Sequence, residues 1–134
     1  MKLNFAKFHL PFLIWLAAIF VQSSFPASSY PEIEFVNADK IVHVLVYGLL
    51  AALCYISFIH QNKYKLLSSS PYIYALIFCS FYGLSDEFHQ YFVPNRDANI
   101  FDWIADVAGI ALMLVIIRFI LANKLILFSR QLQK

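Results

Sequence analysis

Charge is what this 134-residue chain has least of: 13% of its residues are Asp, Glu, Lys or Arg, against roughly 25% in ordinary soluble domains. So few charges cannot cover a small globule whose composition is 61% hydrophobic, and lipid is the expected solvent for much of its surface. Basic blocks are missing as well. The net charge is only +2 and no run of Lys and Arg could track phosphates, which argues against nucleic acid as a partner. Cysteine is scarce. Cys54 and Cys79 both fall in apolar runs, which reads as packing and not as a disulfide framework or a Cys-based metal site. Strand-like alternation of polar and apolar residues is absent, so a membrane barrel of about eight or more strands is excluded, and open strands do not occur in lipid. There is no internal repeat, and the Ser-rich triplet at residues 68–70 reads as a loop.

What the chain does contain is a series of long windows without charge. Residues 8–31, 41–62 and 66–85 run for 24, 22 and 20 residues, each enough to cross a hydrocarbon core of about 30 Å as a helix. A fourth window, 103–123, carries Asp106 near its start and Arg118 near its end, but residues 107–117 are apolar throughout and Arg118 can snorkel to the interface. Ser24-Phe25-Pro26, Ser70-Pro71 and Val93-Pro94-Asn95 punctuate these windows. The expected architecture is an all-α membrane protein. One domain over residues 1–134 forms a bundle of four transmembrane helices at about residues 8–26, 40–61, 71–92 and 102–123.

Lys2, Lys7, Lys63, Lys65, Lys124, Arg130 and Lys134 fall on one side of such a bundle and only Lys40 and Arg96 on the other, so both termini are expected in the cytoplasm. An alternative takes the first 29 residues as a cleaved signal peptide ending near Ala27-Ser28-Ser29, although the apolar stretch exceeds the usual h-region of about 7–15 residues. Cleavage leaves the orientation of the other helices unchanged.

The polar residues then separate by side. Glu32, Glu34, Asp39, Asp86, Glu87, Asp97, Asp102 and Asp106, all the acids of the chain, lie on the outward loops or at outer helix ends. His43, Asp86, Glu87 and Asp106 lie inside the spans, where ionisable groups normally face the bundle interior or a wet cavity. Asp39, His43 and Tyr47 follow at i, i+4 and i+8, and Lys40, His43 and Tyr47 at i, i+3 and i+7. Gly83, Glu87 and Gln90 form a second stripe with Asp86 and His89 beside it, and Asp102, Asp106 and Gly109 a third. Six acids in this layer face two cations, Lys40 and Arg96, an excess that a divalent metal, a cationic ligand group or protonation would resolve. Glu87, His43 and Asp106 are the candidates for acid/base chemistry. Lys40 and Arg96 suit a phosphate, with Gln90, Tyr47, Asp39 and Asp102 completing the binding layer. If a metal is held, His43, Glu87 and His89 are its candidate ligands.

These residues carry a resemblance. Asp39-Lys40-Ile41-Val42-His43-Val44-Leu45-Val46-Tyr47 resembles the D-K-x-x-H-x-x-x-Y segment of VanZ-like membrane proteins, a group named after an accessory teicoplanin-resistance protein. Gly83 through Glu87 to Gln90, then Phe92-Val93-Pro94-Asn95-Arg96, then Asp102, Asp106 and Gly109 resemble the family's G-x-x-x-E-x-x-Q, F-x-P-x-R and D-x-x-x-N/D-x-x-G pattern in order and spacing. The first helix is similar too, with Leu10-Pro11, Ile14-Trp15 and Ser23-Ser24-Phe25-Pro26, so the resemblance covers about residues 10–115. Where this chain has Asp106 the family often has Asn. The resemblance implies a four-helix protein of the bacterial inner membrane linked to reduced susceptibility to glycopeptide antibiotics. These drugs act on the outer face, where lipid-linked peptidoglycan precursors are displayed.

Three function classes follow: an enzyme acting on an outer-leaflet phospholipid or lipid-linked precursor, a non-catalytic scaffold or binding protein for such a headgroup, and a small proton-coupled transport component. The transport class fits least, because no polar path continues to the cytoplasmic side. No Ser or Cys lies in a nucleophile context, which disfavours covalent acyl-enzyme chemistry. Each feature also has a purely architectural reading. His43 and His89 can be hydrogen-bonded interior histidines, Glu87 can pair with Arg96 or Lys40, Asp102 can cap the fourth helix, and Trp103, Tyr91 and Phe92 can be interfacial anchors. His9 and His60, at the cytoplasmic ends, read as interfacial polar residues.

Overall fold

A computed structural model describes residues 2–26, 28 and 38–131. Glu32, Glu34, Lys134 and the expected cleavage residues Ala27 and Ser29 lie outside the described residues. Among the described residues there are six α-helices, α1 (Lys2–Phe8), α2 (Leu10–Ser23), α3 (Ala38–His60), α4 (Lys65–Ser69), α5 (Pro71–Gln90) and α6 (Ile100–Gln131), and no strand.

The first expected span, about residues 8–26, is represented by α2, and a separate short helix, α1, runs up to its start. Pro11 has no N–H to give the preceding turn, so one rung of the ladder is missing and the helix breaks at His9. The axis is nevertheless carried across, because His9 N–H donates to Phe5 (2.9 Å) and Leu13 N–H to the His9 carbonyl (3.1 Å). At the other end Ser24 turns its Oγ back onto the Phe20 carbonyl at 2.7 Å, closing the helix ahead of Pro26. The expected loop at residues 68–70 contains the end of the short α4 instead, and α5 opens on Pro71, whose fixed φ suits a first turn. α6 outruns its expected end because neither Gly nor Pro follows Gly109.

α3 is the hub, packed most extensively on α6 and then on α5 and α2. Tyr47, Leu50, Ala51 and Cys54 of α3 meet Ala75 and Cys79 of α5, Ile110 and Leu114 of α6, and Phe12 and Ile19 of α2. Both cysteines are free and buried, in keeping with a packing role. The α3–α6 crossing is tight enough to require glycine. A Cβ at Gly109 would collide with the Val44 carbonyl, and one at Gly48 would stand 3.3 Å from the Gly109 oxygen.

α3 and the Ile100–Lys124 part of α6 are long and apolar enough to cross a membrane, yet only 39% and 22% of their apolar windows are buried within the chain. Leu45, Val115 and Phe119 are among the large side chains that point away from the core. A helix apolar on its outer face has lipid as its natural cover. The described residues thus form an all-helical fold with two helices long and apolar enough to cross a membrane.

Candidate functional site

Three helices each deliver one ionisable side chain to a common point. His43, in the second turn of α3, places Nδ1 2.8 Å from Asp106 Oδ1 of α6. Glu87, in the last turn of α5, accepts the Asn99 N–H on Oε2 at 3.0 Å. His43, Glu87 and Asp106 each offer a donor atom within 4.8 Å of the others'. Asp106 is fully buried and Glu87 is 6% exposed. Each carboxylate thus has one oxygen in use, and Glu87 Oε1 and Asp106 Oδ2 are buried with no hydrogen-bond partner among the described residues, as is the Tyr47 hydroxyl. Leaving such an atom unpaired costs about 1–3 kcal/mol, so each of the three calls for a partner, a water or an ion included. Gly83 makes the approach of α5 feasible, since a Cβ there would stand 2.9 Å from Asp106 Oδ2 and 3.2 Å from Tyr47 Cε1.

The other expected site residues sort around this cluster. Lys40 bridges Asp102 of α6 and its own neighbour Asp39, at 2.8 Å for the latter. Arg96 reaches the Gln90 side chain (3.2 Å) and the backbone carbonyls of Phe25 (3.1 Å) and Gln22 (3.4 Å). It therefore clamps the end of α2 to the segment after α5, and Gln90 in turn donates to Asp86 Oδ2 at 2.9 Å. His43, Tyr47, Asp86, Gln90 and Arg96 line a cavity of about 30 Å³, room for about one water. His89 stands apart. It hydrogen-bonds Ser24 Oγ at 3.0 Å and stacks on Phe20 of α2, so the third member of the carboxylate–histidine cluster is Asp106. Asp102 does not cap α6; Asn99 does, its Oδ1 accepting the Phe101 N–H at 3.0 Å. Trp103 is tied inward, donating Nε1 to the Ser80 carbonyl at 3.0 Å.

Beside the cluster, between the end of α5 and the start of α6, opens an apolar groove of about 740 Å³. Phe81, Leu84, Phe88, Ile100 and Trp103 are among the residues that line it, together with the polar Glu87 and Asn99.

Asn99 is the site residue that sequence reasoning missed. The signal was available, an Asn directly before an apolar run being a preferred N-cap. Its second task, holding Glu87 through its backbone N–H, leaves no trace in residue type.

Fold and site together define a helical membrane protein with a buried polar cluster where three helices meet. The VanZ/LLP1 family model matches residues 3–122, and the chain belongs to that family. Among curated proteins and solved structures none matches it.

Proposed function

We propose that the chain is a four-span protein of the bacterial cytoplasmic membrane whose polar cluster lies at the depth of the outer leaflet and receives the headgroup of a membrane lipid. α1 with α2, α3, α5 and α6 supply the four spans. The seven basic residues on one side against Lys40 and Arg96 on the other support cytoplasmic termini. The observation that carries the reading is the groove: side chains of largely apolar character line it together with Glu87, one member of the buried cluster. Lipid-binding sites combine these two features, an apolar trough for the tail and a few fixed polar groups for the head. Phospholipid and lipid-linked cell-wall precursor both have that form, and the second would connect the site to the glycopeptide link implied by the family resemblance.

A photo-crosslinking residue at Phe88, which lines the groove, tests this in native membranes, with the same residue at Phe119 on the outer face of α6 as the reference. The expected result is a crosslinked lipid population enriched in one headgroup class at Phe88 and bulk composition at Phe119. Filling the groove with Ala98→Trp should remove the enrichment. Identical populations at the two positions would end the proposal.

A further inference from the structure

We propose that His43, Glu87 and Asp106 hold a divalent transition-metal ion of the zinc or manganese kind. The inference does not depend on a lipid occupying the groove. Two observations carry it independently. The first is the donor set: one imidazole and two carboxylates, each from a different helix, with donor atoms within 4.8 Å of one another. A divalent ion with bonds of about 2.0–2.2 Å spaces its ligands by roughly 3–4 Å, so rotamer adjustments of about an ångström close the shell. The second is the pair of orphaned oxygens. Glu87 Oε1 and Asp106 Oδ2 are buried without a partner, while the other oxygen of each carboxylate is occupied by Asn99 N–H or His43 Nδ1. One cation satisfies both oxygens at once and balances the two carboxylate charges, which a neutral water cannot do.

The surroundings suit this assignment. Asn99 N–H fixes the Glu87 carboxylate from behind, the kind of outer support that ligands of a bound ion require. Mixed nitrogen and oxygen donors favour zinc or manganese over calcium or magnesium. Three protein ligands leave a coordination position open, as in sites that act on a bound molecule and unlike closed structural sites. Glu87 also lines the groove, which sets the groove beside the cluster. A metal there explains how so acidic a cluster could receive a phosphate, since the cations expected for that task, Lys40 and Arg96, are engaged elsewhere.

The test uses the full chain, purified in detergent without a histidine tag from cells supplied with Zn²⁺ and Mn²⁺. Elemental analysis should find about one divalent ion per chain, and at least tenfold less in Glu87→Gln and Asp106→Asn. Zn²⁺ or Mn²⁺ added to chelator-treated protein should raise the melting temperature by on the order of 5–10 °C, with no rise in the variants. If both variants fail to accumulate, X-ray absorption on the wild-type protein decides, because the shell must contain nitrogen and oxygen only, with an imidazole present. Metal-free protein that no added ion stabilises, equal metal content in Glu87→Gln, or sulfur in the shell would each overturn the assignment. None of these outcomes bears on lipid crosslinking at Phe88.

Discussion

Lys40 stands between two carboxylates that differ in burial. The Asp39 side chain is 60% exposed and that of Asp102 13%, so solvent screens the first pair and much less of the second. Asp39→Asn should change the unfolding free energy by less than about 0.5 kcal/mol, within the range of exposed pairs. Asp102→Asn leaves a half-buried ammonium with only its exposed neighbour and should cost about 1–3 kcal/mol. Denaturant titration in detergent compares the two directly, and equal effects would mean that Asp102 is as solvated as Asp39. Glu87→Gln belongs to a different case. Its Oε2 receives a single backbone N–H, which an amide oxygen also accepts, so the variant should fold to normal yield while losing whatever needs the negative charge. Folded yield and lipid crosslinking at Phe88, measured in the same membranes, check this, and a parallel loss of both would make Glu87 an architectural residue only.

At the scale of helices, glycine sets the distance of closest approach. Ala is normally better than Gly inside a helix by about 0.8–1 kcal/mol. At Gly109 this gain is overrun, because the new methyl meets the Val44 backbone, which cannot rotate away. Gly109→Ala should therefore destabilise by roughly 1–3 kcal/mol. Gly48→Ala, with its nearest obstacle at 3.3 Å, should come out near zero, and thermal unfolding of both variants checks the contrast. The same element view shows what was legible beforehand. Three uncharged windows and a fourth carrying Asp106 and Arg118 marked stretches that are helical among the described residues, and a place about one turn inside each helix put His43 and Asp106 at a shared depth, because both signals are local. The pairing of their faces needed the crossing angle, which no local pattern contains. For His89 the spacing gave half the answer: two positions beyond Glu87 on a helix turns a side chain by about 200°, off the Glu87 face, while its place against Ser24 and against Phe20 of α2 is seen only in the fold. The break at His9 follows from Pro11, but its mildness depends on hydrogen bonds that composition does not reveal.

For the whole molecule, orientation across the membrane can be measured by cysteine labelling. Cys54 and Cys79 are fully buried, so the native chain gives an impermeant thiol reagent almost no background. The turn after α5 is the natural probe of the side proposed as external. Asn95 is a poor position for a new cysteine, since its φ of 59° is left-handed backbone that Asn tolerates and most other side chains resist. Asp97, exposed and two residues on, avoids that strain. Asn62, exposed between α3 and α4, probes the opposite side next to Lys63 and Lys65. With basic residues retained in the cytoplasm, Asp97→Cys should label in intact spheroplasts, and Asn62→Cys only after the membrane is opened. Reversed labelling would place the His43–Glu87–Asp106 cluster at the inner leaflet, where a headgroup displayed outside could not reach it. Labelling at both sites in sealed spheroplasts would mean that the chain does not span the membrane in this four-helix topology.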